Sequence, residues 1–128
     1  MLDDHYYSRV ERFILAEIDS VPHLEALLLI WNTRQKVWSV EEMANSLYVS
    51  PEVAGRVLSD LTSRELIVQP ADPGNTYHYD SSSESRDLLL KDVNDAYKTQ
   101  LVRVSSLIHS KASAAVRDFA RAFRFKKD

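Results

Sequence analysis

The stretch Ser39–Pro70, SVEEMANSLYVSPEVAGRVLSDLTSRELIVQP, decides how the rest of the chain is read. Ser39 stands as a helix N-cap with Glu42 three residues on, the spacing at which each side chain can bond the other's backbone N–H. Met43, Ala44 and Leu47 then make an apolar stripe, which Tyr48-Val49-Ser50 interrupts as a turn. Ser50 caps a second helix whose first position is Pro51, where a missing N–H costs nothing. Val53, Ala54, Val57, Leu58 and Leu61 follow at helical spacing. Glu52, Arg56, Ser59 and Ser63 fall together on the opposite face. Leu66-Ile67-Val68 is β-branched enough for a strand. The pattern predicts two short helices at a tight turn and then a strand, with the second helix held so that its outer face can enter a groove.

Working outward, Trp38 with Val37 suits a short strand just before the capped helix. Pro70-Ala71-Asp72-Pro73-Gly74-Asn75 is a turn by its chemistry, with Gly74 and Asn75 free to take positive φ. Thr76-Tyr77-His78-Tyr79 alternates and returns as a second strand. Upstream, Pro22 opens a helix carrying Leu24, Leu27, Leu28, Ile30 and Trp31, which ends near Thr33–Lys36. An earlier helix spans about Tyr6 to Ile18, with Val10, Phe13, Ile14 and Ile18 on one face. The order helix, helix, helix, strand, turn, strand predicts a mainly α chain with a small β wing, a winged helix-turn-helix.

Beyond Ser81-Ser82-Ser83, which serves as linker and helix cap, the chain changes character. From Glu84 to Phe125 there is neither Gly nor Pro, and Leu89, Val93, Tyr97, Leu101, Val104, Ile108, Ala112, Ala115, Phe119 and Phe123 keep to one helical face. A single helix there would be about 63 Å long, more than a winged helix of roughly 70 residues can cover, so part of the stripe needs another partner, either the N-terminal helix or a second copy of the chain. One long helix and two helices broken near His109-Ser110-Lys111 both remain open. The expected organisation is residues 1–20 as an N-terminal helix making dimer contacts, 21–80 as the winged helix-turn-helix, and 81–128 as a long C-terminal helical segment. Leu89, Val93, Leu101, Val104 and Ile108 are the expected dimer interface.

Composition narrows the functions. The 128 residues are 45% hydrophobic and 27% charged, enough for one core and ordinary for a water-exposed domain. No apolar run approaches a membrane span, and the acidic start MLDDHYYSRVER is unlike a signal peptide; no membrane role and a cytoplasmic location are expected. Without cysteine there is no disulfide, thiolate site or cysteine catalysis. His5, His23, His78 and His109 show no metal-ligand spacing, and the only glycines, Gly55 and Gly74, make no phosphate loop. No metal, no cofactor and no enzyme activity are expected. Trp31 and Trp38 are read as core, and Tyr6, Tyr7, Tyr77 and Tyr79 as core that alternatively lines a cavity between wing and long helices.

The run SPEVAGRVLSDL resembles the recognition helix of the Crp/Fnr superfamily of winged-helix regulators, whose pattern is close to S-R-E-T-V-G-R-(I/V)-L. The resemblance implies that Glu52 and Arg56 read base edges, a carboxylate accepting from cytosine and a guanidinium gripping guanine. Pro51 stands where that family has its first arginine, Ser59 where a lysine is common, and the family's nucleotide-binding β-roll is missing. By architecture the chain is similar to the small dimeric regulators of the MarR and PadR families. The expectation is therefore a dimeric transcriptional regulator binding duplex DNA through Ser50, Glu52, Arg56, Ser59, Ser63 and Arg64. Charge opposes it. Between residues 41 and 80 only Arg56 and Arg64 are basic, against Glu41, Glu42, Glu52, Asp60, Glu65, Asp72 and Asp80, whereas phosphate neutralisation supplies most non-specific affinity for DNA. The alternative is a winged-helix protein-interaction module. Its surfaces would be this acidic face or the basic tail, where Arg117, Arg121, Arg124, Lys126 and Lys127 surround Phe119, Phe123 and Phe125 and an acidic protein partner would fit.

Overall fold

The computed structural model describes residues 3–71 and 75–111, with side chains from Tyr7 onward. Helix α1, Asp3–Glu17, is followed by α2, Val21–Asn32, which begins at the N-cap Ser20 with proline in its first turn. Strand β1, Trp38–Ser39, leads into α3, Val40–Leu47, and after the turn α4 runs Pro51–Ser63. Strand β2, Thr76–Tyr77, precedes α5, Glu84–Thr99, capped by Ser83, and residues 101–111 form a sixth helix, α6.

The caps explain why these boundaries fall where they do. Ser39 Oγ accepts from Glu42 N at 3.1 Å while Ser39 N donates to Glu42 Oε1 at 3.0 Å, the reciprocal capping box read from the sequence. The bond from Ser39 N is the foremost cause holding the Glu42 carboxyl below its ordinary pKa. Ser50 Oγ accepts from Val53 N at 3.1 Å and Pro51 follows it. The inner faces of α2, α3 and α4 then meet in one core with Leu24, Leu27, Ile30, Met43, Leu58 and Leu61 fully buried.

The wing is reduced. β1 and β2 pair antiparallel with Trp38 opposite Tyr77 and Ser39 opposite Thr76. Leu66–Val68, expected as a strand, contributes only one bridge, Val68 N to His78 O at 2.9 Å and the return bond at 3.0 Å. Leu66 and Ile67 are instead buried as core, so burial rather than pairing explains their apolar run. Asn75 takes the positive φ expected of it, 49°, whereas the Asp72-Pro73-Gly74 tip lies outside the described residues.

The C-terminal helices correct two expectations. Residues 109–111 are helical, so no break falls there; the helix ends at Gln100, φ −133° and ψ 49°. Thr99 Oγ1 donates to Asp95 O at 2.8 Å, a back-bond of the kind that competes with the helical ladder. The second correction concerns the apolar stripe. Val93 and Val104 are fully buried and Ile108 is 1% exposed within a single chain, Leu89 packs on the same core, and α5 lies against α1 and α2. One chain therefore covers most of the described stripe. Only Leu101, 51% exposed, remains outward from the expected dimer set. Val102, Leu88 and Leu15 are also exposed. No described helix is long and apolar enough to cross a membrane.

Candidate functional site

Helix α4 is oriented by its buried side. Ala54, Val57, Leu58 and Leu61 face α2 and α3, which leaves Glu52, Arg56, Ser59 and Ser63 exposed on the outer face, with Ser50 exposed at its start. The sequence phase is thus realised, and five of the six residues expected to touch a ligand share one surface.

Arg64 does not join them. Its guanidinium donates to Ala16 O at 2.9 Å and pairs with Glu17 at 3.4 Å and Asp19 at 3.2 Å, where α1 ends. Cations near the last carbonyls of a helix are stabilising, which accounts for the choice. Lys36 is likewise engaged, 3.0 Å from Glu42 and over the Trp38 ring. Among the described residues Arg56 is the one cation of the α3–α4 surface without a protein partner. Glu41 and Glu52 stand exposed near it, so the face is acidic in three dimensions as well as in sequence.

One exposed residue escaped the sequence reading. Tyr48, in the turn between α3 and α4, is 94% exposed at φ 59°. Its signal was present: a bulky aromatic at the helix end where glycine or asparagine is usual.

The other aromatic residues are structural. Trp31 Nε1 donates to Asp87 Oδ1 at 2.8 Å, Arg34 donates to Asp87 Oδ2 at 3.0 Å, and the Arg34 guanidinium lies over both Trp31 and Tyr79. The Trp31 bond is the foremost cause that holds the Asp87 carboxyl below its ordinary pKa. This cluster joins α2, the strand exit and α5. Tyr7, Tyr77 and Tyr79 are buried. A cleft of about 720 Å³ lies between α1 and α5, and none of these tyrosines is among its lining residues. Its lining mixes Phe13, Leu88 and Leu89 with Arg9, Arg12 and Arg86 and with the carboxylates Glu17 and Asp92. Arg9 is tied to Asp92 at 2.9 Å and Arg86 to Glu65 O at 2.9 Å.

Asp19, His23 and Asp60 bring ligand atoms within 4.8 Å of one another, a grouping that their sequence separation concealed. Their donors are already engaged. His23 Nε2 lies 2.9 Å from Asp60 Oδ2, and His23 Nδ1 lies 2.6 Å from Ser20 Oγ. With a neutral ring, Nε2–H donates to Asp60 while the Ser20 hydroxyl donates to Nδ1. Asp19 already holds Arg64 and, at 3.6 Å, Lys111. A dication would have to displace these cations or sit beside them. The group fits an electrostatic joint between α2, α4 and α6 better than a metal centre.

No protein-family model matches the chain, and no curated protein matches it. Solved structures do. MepR, a transcription regulator of the Staphylococcus aureus multidrug efflux pump MepA, is similar at a TM-score of 0.54 and 13% identity, over 96% of this chain and 93% of MepR. The heme sensor protein PefR from Streptococcus agalactiae gives 0.53 at 13% identity, over 93% and 84%. The multiple antibiotic-resistance repressor MarR from Listeria monocytogenes gives 0.50 at 16% identity, over 95% and 84%. At such identities the likeness is one of fold. The chain has the winged-helix fold of MarR-type regulators over nearly its whole length, which bears out the MarR side of the architectural resemblance.

Proposed function

We propose that the chain is a non-enzymatic transcriptional regulator that binds duplex DNA as a homodimer through the outer face of α4. The observation that carries this reading is the way the Ser50-capped α4 is set in the fold. Its inner face is fully committed to the core, and Ser50, Glu52, Arg56, Ser59 and Ser63 project from it without a structural task beyond the Ser50 cap. Arg56 is placed to grip a guanine and Glu52 to accept from a cytosine, while helix N-termini and hydroxyls contact phosphates in place of the missing lysines. MepR, similar in fold, is a transcription regulator, which supports the same reading. Residues 21–80 form the DNA-contacting unit. Residues 1–20 and 81–128 form the dimer scaffold, with Leu15, Leu88, Leu101 and Val102 as the apolar residues left for the partner copy. Such a regulator works in the cytoplasm.

The acidity of the α3–α4 face favours a second reading, a winged helix that docks a protein and no longer binds DNA. The basic tail expected to meet an acidic partner lies outside the described residues. Anisotropy titrations on genomic fragments at about 50 mM salt, where phosphate contacts are strongest, separate the two. Sequence-dependent binding that weakens with salt supports the regulator. No binding to any fragment leaves the protein-docking module.

A further inference from the structure

Tyr48 carries a large side chain where the fold has no use for one. It ends α3 at φ 59° and ψ 44°, the left-handed region that glycine enters freely and a residue with a Cβ enters at a cost. Its backbone N–H closes the helix on Ala44 O, which a glycine does equally well. The ring gains no burial, being 94% exposed, and the hydroxyl has no partner among the described residues. The other two non-glycine residues at positive φ differ. Asn75 is a type that tolerates the conformation, and the Glu65 carbonyl receives Arg86.

Tyr48 stands two residues before the cap Ser50, at the leading end of the α4 face. Arg56 is the only unpartnered cation described there. A phenol suits such a place, because its O–H donates to an anion without adding charge and its flat body lies on apolar surface. We infer that Tyr48 is a phosphate anchor of this face: its hydroxyl donates to a backbone phosphate of duplex DNA and its ring lies against the neighbouring deoxyribose. The inference rests on the reading that α4 takes duplex DNA.

The test uses the full chain, a duplex selected from a random-sequence library, and two readouts, thermal melting and anisotropy. Tyr48→Phe, which loses only the hydroxyl, should melt with wild type and bind about tenfold more weakly, the size of a bond to a charged acceptor. Tyr48→Gly should melt no lower than wild type, because the left-handed backbone is relieved, yet bind at least as weakly as Tyr48→Phe. Both losses should be equal on the selected duplex and on a scrambled one, since a phosphate contact carries no base preference. Unchanged affinity in either variant, or a Tyr48→Gly chain that melts well below wild type, overturns the inference. A wild-type chain that binds no duplex removes the DNA reading, and the anchor with it.

Discussion

Leu58→Ala probes the rotation of α4 about its own axis, on which every assignment to its outer face depends. Leu58 is fully buried where α4 packs on α2 and α3. Truncation removes three carbons from that contact, a transfer loss of about 2.4 kcal/mol at ~0.8 kcal/mol for each. A residual cavity of roughly 40–80 Å³ adds about 1–2 kcal/mol at ~24 cal/mol per Å³. Alanine's better helix propensity returns a few tenths at most. The expected loss is about 3–4 kcal/mol, a large part of the roughly 5–15 kcal/mol that holds a domain together. Ser59→Ala, one residue on but exposed, should stay within about 0.5 kcal/mol of wild type. Urea unfolding followed by circular dichroism reads both, and unchanged slopes would confirm that the midpoints report stability. If the two variants fell within about 1 kcal/mol of each other, or in reverse order, the phase of α4 and the face built on it would be wrong.

Arg56→Ala should weaken duplex binding by about 1–3 kcal/mol and relax preference at one base position, measured by competition between single-base variants of the site. Glu52→Ala should act oppositely on non-specific duplex, binding it more tightly as a repelling charge is lost while discrimination falls. Tyr97 donates to Glu25 at 2.9 Å, and burial, that bond and the Glu25 charge push its ionisation up to about 12. Because the folded value is raised, the contribution is whole below the unfolded value near 10 and is lost as pH climbs through the interval to about 12. Denaturation curves across that interval should fall more steeply for wild type than for Tyr97→Phe, and equal slopes would remove the assigned role. Light scattering should give a mass near twice 14.7 kDa, and Val102→Glu should halve it without unfolding the chain; a wild-type monomer at high concentration would end the dimer reading.

Local chemistry made much of the fold legible. The Ser39 and Ser50 caps, Pro22 and Pro51, and the apolar spacing of α2 to α4 each act within one turn of the chain, so the sequence displays them directly. Long-range choices were hidden. Periodicity reports that Val93, Val104 and Ile108 are covered, but not by whom, and all three are buried in the core of the same chain, with α5 against α1 and α2. The end of α5 at Gln100 has no Gly or Pro to announce it, only a threonine that bonds back on its own helix. The strand Leu66–Val68 failed because β-branched residues suit a buried segment as well as a ladder. At the candidate site, the exposure of Glu52, Arg56, Ser59 and Ser63 followed from helical phase. The diversion of Arg64 to the end of α1 depends on a residue 45 positions away in sequence, and nothing local signals it.

The joint at Asp19 has a consequence for a dimer of the kind proposed. Arg64 closes the far end of α4, Lys111 comes from α6, and both grip the same carboxylate at the corner between α1 and α2. Lys111 also donates to Ile18 O at 2.9 Å. Helix α4 is thereby pinned at its far end, its root, to elements of the proposed dimer scaffold. Two such chains would behave as the arms of a caliper, with the gap between their α4 tips set by how stiffly each root is held. Duplex half-sites repeat about every 34 Å along one groove face, so a stiff root rejects half-sites spaced one base pair too near or too far. Loosening that root by Asp19→Ala would leave each arm intact and let the instrument close on the wrong width.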